Sequence, residues 1–268
     1  GTDVEIAATM LSRSVPEAPE DGAIELVMNA GLSLADYEVS LYHSCQRRFF
    51  YTYVLQVGGK RTLTPFMQMH DAVRTTVQSL IQGSDSSPES IANYLDQTFS
   101  FSGLAQHGYA GDYLEMAKGM MSFFASIRQG HTTQRPIGMS LTVGGEQIVV
   151  LPDDVLVAPD GHLTFRRIRT GHSRKSDLTG IGATAFLLAS RQSYPDAKVE
   201  YVYLSDQAVH PLIFTPKQLE GGSIKLAASL ESIRSGVFRT EPSSRVCPAC
   251  PAFFVCGPIP PGQLHKNF

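Results

Sequence analysis

The four cysteines of the chain fall into two short segments, one early and one late. Cys45 lies in the sequence S-C-Q-R-R-F-F-Y, and Cys247, Cys250 and Cys256 lie in C-P-A-C-P-A-F-F-V-C. If all four thiols meet, the fold has to bring segments that are distant in sequence side by side. A set of four thiolates is typical of an iron–sulfur cluster or of a zinc site. The spacing therefore predicts a metal or cluster site, and it leaves the choice between iron–sulfur and zinc open.

Composition argues against disulfides and against a membrane location. The chain has 268 residues with neither a secretory segment nor a cysteine-dense scaffold, so we expect free thiols and a cytoplasmic protein. No apolar run reaches membrane-spanning length, so no membrane contact is expected. The formal net charge of −3 excludes a global basic field, and any contact with nucleic acid would depend on a local basic patch.

Hydrophobic periodicity divides the chain into a helical half followed by a mixed half. Residues 1–31 are predicted to be an arm or linker. Helices are predicted around Cys45 and over 64–81, 89–99, 111–128, 178–190 and 216–233. Strands are predicted over 137–143, 147–151, 155–157, 163–169 and 198–204, the first four as an antiparallel meander. We therefore expect residues 32–268 to form one α/β domain, with a mixed central sheet flanked by helices and a mostly helical N-terminal half.

Four segments, taken in order, carry a resemblance to a known family. They are L-S-L-A-D-Y-E-V-S-L-Y-H-S-C-Q-R-R-F-F-Y-T-Y-V-L, F-M-Q-M-H, P-D-D-V-L-V-A-P-D-G-H-L-T-F-R-R-I-R-T-G and F-R-T-E-P-S-S-R-V-C-P-A-C-P-A-F-F-V-C-G. Together they resemble the RecB-type branch of the PD-(D/E)XK nucleases. The resemblance is to members such as AddB-type subunits, in which cysteines from both ends of the domain hold a metal cluster, here called the staple. The resemblance spans residues 32–257 and implies a restriction-endonuclease-like core. It also implies that Cys45, Cys247, Cys250 and Cys256 hold a [4Fe–4S] cluster, with zinc as the alternative.

The resemblance implies metal-dependent DNA hydrolysis, but the motif that supports this chemistry is altered. The family holds a divalent metal with an Asp, a second Asp or Glu, and often a His, and it places a Lys two residues after the second acid. Here Asp153 or Asp154 matches the first acid and His70 matches the histidine, whereas Arg167 and Arg169 replace the second acid and the lysine. A guanidinium group repels a divalent cation. We therefore expect an inactive nuclease domain that uses neither Mg²⁺ nor Mn²⁺.

The densest group of cations in the chain surrounds the altered motif. Its members are Arg166, Arg167, Arg169, Arg174 and Lys175. Positive charge in such a cluster favours contact with phosphates without reading base sequence. We therefore expect a DNA-binding scaffold in a repair or recombination protein, with a helicase module in the same chain or in a partner subunit.

Other interpretations of these residues remain open at the level of sequence. The arginines could pair with local acids such as Asp160 and Asp177, and His70 could be a core histidine on a Met-rich helix. An active nuclease could use a displaced carboxylate from Asp160, Asp177 or Glu146. A third possibility is a protein-interaction domain without affinity for DNA.

Overall fold

A computed structural model of the chain describes residues 33–57, 63–83, 87–241, 243, 246–247 and 250–256, without the side chain of Phe254. Residues 1–31, for which an arm or linker is predicted, lie outside the described residues. The described parts belong to two compact units. The first takes its residues from Ser40–Arg61 and Ala228–Phe268, and the second takes its residues from Ser33–Val39 and Thr62–Ala227.

Some of the helices begin at a residue whose side chain caps them. The helices are α1 Asp36–Ser44, α2 Gln46–Phe49, α3 Pro65–Ile81, α4 Pro88–Ser102, α5 Ala110–Ser126, α6 Lys175–Leu178, α7 Ile181–Ser193 and α8 Pro216–Arg234. A π-helical segment, Phe50–Val54, follows α2 directly. The side chain of Thr64 caps α3 and that of Ser87 caps α4, each with a proline at the first turn. None of the helices in the described ranges is long and apolar enough to cross a membrane.

The strands form two sheets rather than the single central sheet predicted. They are β1 Ser33–Ala35, β2 Thr132–Gln134, β3 Met139–Val143, β4 Glu146–Val150, β5 Asp154–Val157, β6 Leu163–Arg169, β7 Lys198–Tyr203 and β8 Ala208–Pro211. One sheet has the order β1-β4-β3 and the other has the order β2-β5-β6-β7-β8. The predicted mixed α/β class is therefore confirmed, but the meander is split between β4 and β5. Pro152 lies in that connection, and a proline has no N–H group to donate to a strand ladder.

A helical layer covers one face of the five-stranded sheet. Helices α3, α4 and α5 share a buried cluster that includes Met69, Leu95 and Phe124. Val202 of β7 and Leu204, just after it, belong to the same cluster. Burial of these large apolar side chains is the main term that stabilises this layer. Ile168 of β6 packs against the same cluster, and β6 pairs in parallel with β7.

Close packing of α8 on α7 gives a prediction about stability. A Cβ atom added at Gly222 would lie 2.5 Å from Cγ2 and 2.7 Å from Oγ1 of Thr184, whereas at Gly221 it would meet nothing within 4 Å. Gly222→Ala is therefore expected to lower the free energy of unfolding by about 1–3 kcal/mol through overpacking. Gly221→Ala, the matched control, is expected to raise it by about 0.5–1 kcal/mol because alanine favours the helix. Urea unfolding followed by circular dichroism measures both, and equal effects at the two positions would contradict the close contact.

Candidate functional site

The four predicted cysteine ligands are neighbours within one unit. All four are free and partly buried. Burial raises the pKa of the Cys256 thiol, and the nearby sulfurs of Cys45, Cys250 and Cys247 raise it further. Cys250 and Cys256 also pack against a small buried cluster built around Phe50. The fold therefore brings together the early and the late cysteine segments, although they are distant in sequence.

Backbone N–H groups already point at two of these sulfur atoms. The N–H of Arg48 donates to Sγ of Cys45 at 3.4 Å, and the N–H of Ser243 donates to Sγ of Cys247 at 3.2 Å. Donors of this kind favour the charged thiolate form of a cysteine, which is the form that binds metal. Two of the four proposed ligands therefore already accept a backbone hydrogen bond at sulfur.

The donor set suits a cluster, although the thiols do not surround a common centre. In the part of the chain that the structure describes, no group of three or more His, Cys, Asp or Glu side chains is arranged to hold a metal ion. Four neighbouring thiols have the ligand chemistry of a zinc or iron–sulfur site. Closing them on a metal would require the cysteine side chains to move towards each other. The cluster therefore remains a prediction.

Contacts between side chain and backbone join the early and late segments independently of any metal. The Tyr42 hydroxyl donates to the carbonyl of Val237 at 2.7 Å, and the Tyr51 hydroxyl donates to the carbonyl of Val255 at 2.9 Å. Phe238 stacks against the early aromatic rings, with its centroid 4.9 Å from that of Phe50. The predicted staple thus lies in a region that aromatic packing already holds together.

In the other unit, Arg167, which the resemblance aligns with the family's second acid, pairs with an acid from the start of α1. Its Nη2 donates to Oδ2 of Asp36 at 2.7 Å, and both side chains are less than 9% exposed. The guanidinium group also lies 5.2 Å from the ring centroid of Phe186. Burial alone would lower the pKa of Arg167, but the attraction of Asp36 and then of Asp153 outweighs it and raises the pKa. Arg167 is therefore a fixed cation that faces two carboxylates.

The structure separates the two candidates for the first acid, Asp153 and Asp154. Asp154 pairs across the strands with Arg166, is fully buried, and lies 3.4 Å from Nη2 of Arg128. Burial raises the pKa of Asp154, and the cations Arg128 and Arg166 offset part of that rise. Asp153 instead accepts a hydrogen bond from the N–H of Ile168 at 2.7 Å. Since side chains alternate along a strand, Asp153 shares the face of Arg167 and Asp154 lies on the opposite face.

A cavity of about 1070 Å³ is lined by Asp153 and Arg167 and by residues of α3. Its lining includes four arginines, namely Arg74, Arg135, Arg167 and Arg169. Among the described lining residues, Asp153 is the only acidic side chain. Arg169 stacks at 5.7 Å from the ring centroid of Tyr201 and stays exposed. The cavity is therefore rich in hydrogen-bond donors and positive charge, a combination that suits an anion such as phosphate.

The five predicted DNA contacts divide into two buried and three exposed side chains. Arg166 is buried, with Nε 3.0 Å from Oε2 of Glu200 and Nη1 3.0 Å from the carbonyl oxygen of Ile127. Arg167 is buried against Asp36, as described above. The exposed side chains are those of Arg169, Arg174 and Lys175. Contact of Arg166 or Arg167 with phosphate would require the loss of buried ion pairs, so the exposed three are the available cations.

His70 lies on α3 beside the end of β6. It contacts the backbone of Thr170 and lies within range of His172. Burial and then His172 lower the pKa of His70, so the ring is neutral near pH 7. His70 does not line the cavity that contains Asp153. The structure therefore places this candidate next to the altered motif without bringing it into the carboxylate–arginine group.

Four residues of this site were not predicted from the sequence. They are Asp36, Arg74, Arg128 and Arg135. Asp36 is an acid in the first turn of a helix, where acids are common for local electrostatic reasons, and its partner lies 131 residues away. The cluster of arginines around the motif could have prompted a search for a buried acid partner, but nothing in the sequence selects Asp36.

Comparison with known proteins gives a family match and similarities to solved structures. A family model described as "PD-(D/E)XK nuclease superfamily" matches residues 33–257. A solved structure titled "Crystal structure of SSO0001" is 13% identical in sequence with a TM-score of 0.41, over 87% of this chain and 87% of that one. A search of curated proteins gives no match.

Proposed function

Because the chain belongs to the PD-(D/E)XK nuclease superfamily, we propose that it is a catalytically inactive nuclease-type domain that binds DNA. In this proposal the domain is a scaffold beside a helicase module, in the same chain or a partner subunit, and it acts in DNA repair or recombination. The helicase association follows from the resemblance of residues 32–257 to AddB-type subunits. The observation that carries the loss of activity is the buried pair of Arg167 and Asp36.

The chemistry of Arg167 opposes metal binding at this face. A divalent cation needs several oxygen ligands, whereas a guanidinium group offers only N–H donors and keeps its charge. A metal ion placed beside Asp153 would therefore meet a fixed positive charge in surroundings where burial strengthens electrostatic repulsion. Arg167 supplies the positive charge that the carboxylates would otherwise require from a metal.

The exposed cations support the DNA-binding part of the proposal. Arg169 lines the cavity together with Arg74 and Arg135, and Arg174 and Lys175 follow β6 closely in sequence. Phosphate contacts of this kind release counterions and carry no base information, so binding should depend strongly on salt and little on sequence.

A single experiment tests binding and cleavage together. Chain purified without oxygen is mixed with a labelled duplex that has a single-stranded tail, with and without Mn²⁺, and both readouts come from the same samples. We expect binding that weakens with salt, and no cleavage. Arg169→Glu is expected to weaken binding and to lower the slope of log K against log salt by about one unit, because one phosphate contact is lost.

The matched control reverses the charge of an exposed arginine on α7. Arg191 is exposed and does not line the cavity, so Arg191→Glu has the same effect on net charge as Arg169→Glu. Equal losses for the two variants would mean that net charge alone decides binding. If the wild-type chain does not bind the labelled DNA, the DNA-binding function is rejected and a protein-interaction domain is favoured.

An active nuclease with a displaced carboxylate is the second candidate, and one observation favours it. Asp36 and Asp153 both act on the same guanidinium, so movement of Arg167 would leave two carboxylates available for a metal. The candidates considered from sequence are placed less favourably, because Asp160, Asp177 and Glu146 do not line the cavity. Cleavage that needs Mn²⁺ or Mg²⁺ and disappears in Asp153→Asn would select this function.

The cofactor belongs to the proposal as well. Cys45, Cys247, Cys250 and Cys256 would hold a [4Fe–4S] cluster, with zinc as the alternative. When bound, the cluster would act as a structural cross-link between the early and late segments of the chain. Proximity of the four sulfurs and the N–H groups that point at Cys45 and Cys247 support this assignment.

A further inference from the structure

Five aromatic side chains form a continuous row along the surface of α3, α5 and the loop before α5. In order they are Tyr109, His107, Tyr113, Phe66 and His70. The distances between successive ring centroids along this row are 5.8, 5.7, 6.4 and 4.5 Å. Each ring therefore contacts the next, and the row extends from the start of α5 to the first half of α3.

The row is exposed to solvent. Tyr109 is 64% exposed and Phe66 is 44% exposed, and the three rings between and beside them are only partly buried. Single exposed apolar side chains are common, and Phe101, at 98% exposed, is an example. A connected series of exposed rings is less common and indicates a contact surface.

The face of α3 that carries Phe66 and His70 leads into the arginine-lined cavity. Arg74 and Gln78 continue the same four-residue spacing and line the cavity. At 1.5 Å per residue, the axial distance from Phe66 to Gln78 is about 18 Å. His70 also contacts the backbone of Thr170, which lines the cavity. The rings and the cations are therefore parts of one surface.

The positive charge of this surface comes from the arginines that line the cavity. On α3 and α5, Asp71 pairs with Arg74 and Glu115 pairs with Lys118, and Asp112 is exposed. Exposed ion pairs of this type are weak and exchange readily with other partners. Aromatic rings beside cations suit a ligand that combines flat apolar faces with phosphates.

From this surface we propose that the aromatic row is a stacking platform for successive unpaired bases of a single nucleic-acid strand, whose phosphates lie along the arginines of the cavity. The inference rests on the proposed DNA-binding function and adds that the bound nucleic acid is single-stranded. In a duplex the base faces are already stacked on each other, so only unpaired bases can stack on protein rings. Stacking of this kind tolerates any base, because every base has a flat face.

Exposed rings can be removed with little effect on folding, which makes the test direct. The variants are Phe66→Ala and Tyr109→Ala, and the control is Phe101→Ala, which removes an exposed ring outside the row. Each is titrated with a single-stranded oligonucleotide that contains 2-aminopurine and with a blunt duplex of the same sequence. Circular dichroism confirms that each variant keeps its fold.

We expect about tenfold weaker single-strand binding for each ring removed, with unchanged duplex binding and loss of 2-aminopurine quenching. Phe66→Trp is expected to restore both affinity and quenching, because it restores a flat ring. Unchanged single-strand affinity in the two alanine variants, or equal losses for single strand and duplex, would overturn the stacking platform and leave the DNA-binding proposal intact. A wild-type chain that binds neither probe would overturn both.

Discussion

Cys256→Ala is expected to lose the proposed iron–sulfur cluster together with the folded structure of the segments around the cysteines. Cys256 is one of the four neighbouring thiols, so its loss removes one of the four proposed ligands. Binding of a structural metal by cysteines contributes directly to folding, on the order of 10 kcal/mol for zinc in small domains. The effect should therefore exceed that of any single core substitution in the same region.

Iron and sulfide analysis, visible absorbance and limited proteolysis measure this outcome on chain purified without oxygen. The wild type is expected to be brown and resistant to protease across residues 235–256, and Cys256→Ala is expected to be colourless and cleaved there. Ser44→Ala is the matched control, because Ser44 is exposed and lies beside Cys45 in sequence. A measured content of one zinc per chain without sulfide would show that the four cysteines bind zinc instead of a cluster. The cross-link between the early and late segments would still be supported. A variant with unchanged metal content and protease resistance would reject the staple itself.

Local signals predicted the helices well, and contacts between distant residues decided the rest. Thr64 and Ser87 cap α3 and α4 as side chains of that type do, and both helices start within a few residues of the predicted positions. The split of the meander into two sheets was not predictable, because β4 takes its second partner from β1, whose three residues carry little periodic signal. Strand pairing is a property of the whole chain rather than of one segment.

In the candidate site, too, local sequence signals predicted some features, and contacts between distant residues decided the others. The cysteine spacing alone suggested that the four thiols meet, and the structure places them as neighbours. The arginines of β6 were found in sequence as a cluster, but strand alternation and burial give them separate roles. Arg166 faces Glu200, Arg167 faces Asp36, and Arg169 reaches the cavity. Sequence could not reveal these partners, because each lies on another element of the fold.

Arg167→Met is expected to lower the free energy of unfolding by about 3–5 kcal/mol, because it leaves the Asp36 carboxylate buried without its guanidinium partner. Arg169→Met is the matched control, with the same substitution two residues along the same strand face. Because Arg169 is exposed, its loss should cost less than about 1 kcal/mol. The chain contains no tryptophan, so urea unfolding is best followed by far-ultraviolet circular dichroism.

The pH dependence of the same variant identifies the cause. Burial already raises the pKa of Asp36 in the folded protein, and Arg167 offsets part of this rise. Removal of Arg167 should raise the folded-state pKa of Asp36 further above its unfolded value of 3.8. A carboxyl group with a raised folded-state pKa holds its proton more tightly in the folded state. The destabilisation of Arg167→Met should therefore be complete above that folded-state pKa and should shrink as the pH falls through it.

A second substitution separates the ion pair from simple packing. In Arg167→Met combined with Asp36→Leu, both charges are gone and apolar groups fill the site, so most of the lost stability should return. If the pair is the cause, the double variant should be more stable than Arg167→Met alone, and its stability should no longer change with pH in the range where Asp36 titrates. Additive losses without pH dependence would show instead that packing of Arg167 on Phe186 is what matters. In that case Arg167 would not be the internal cation of this face, and the inactive assignment would lose the observation that carries it.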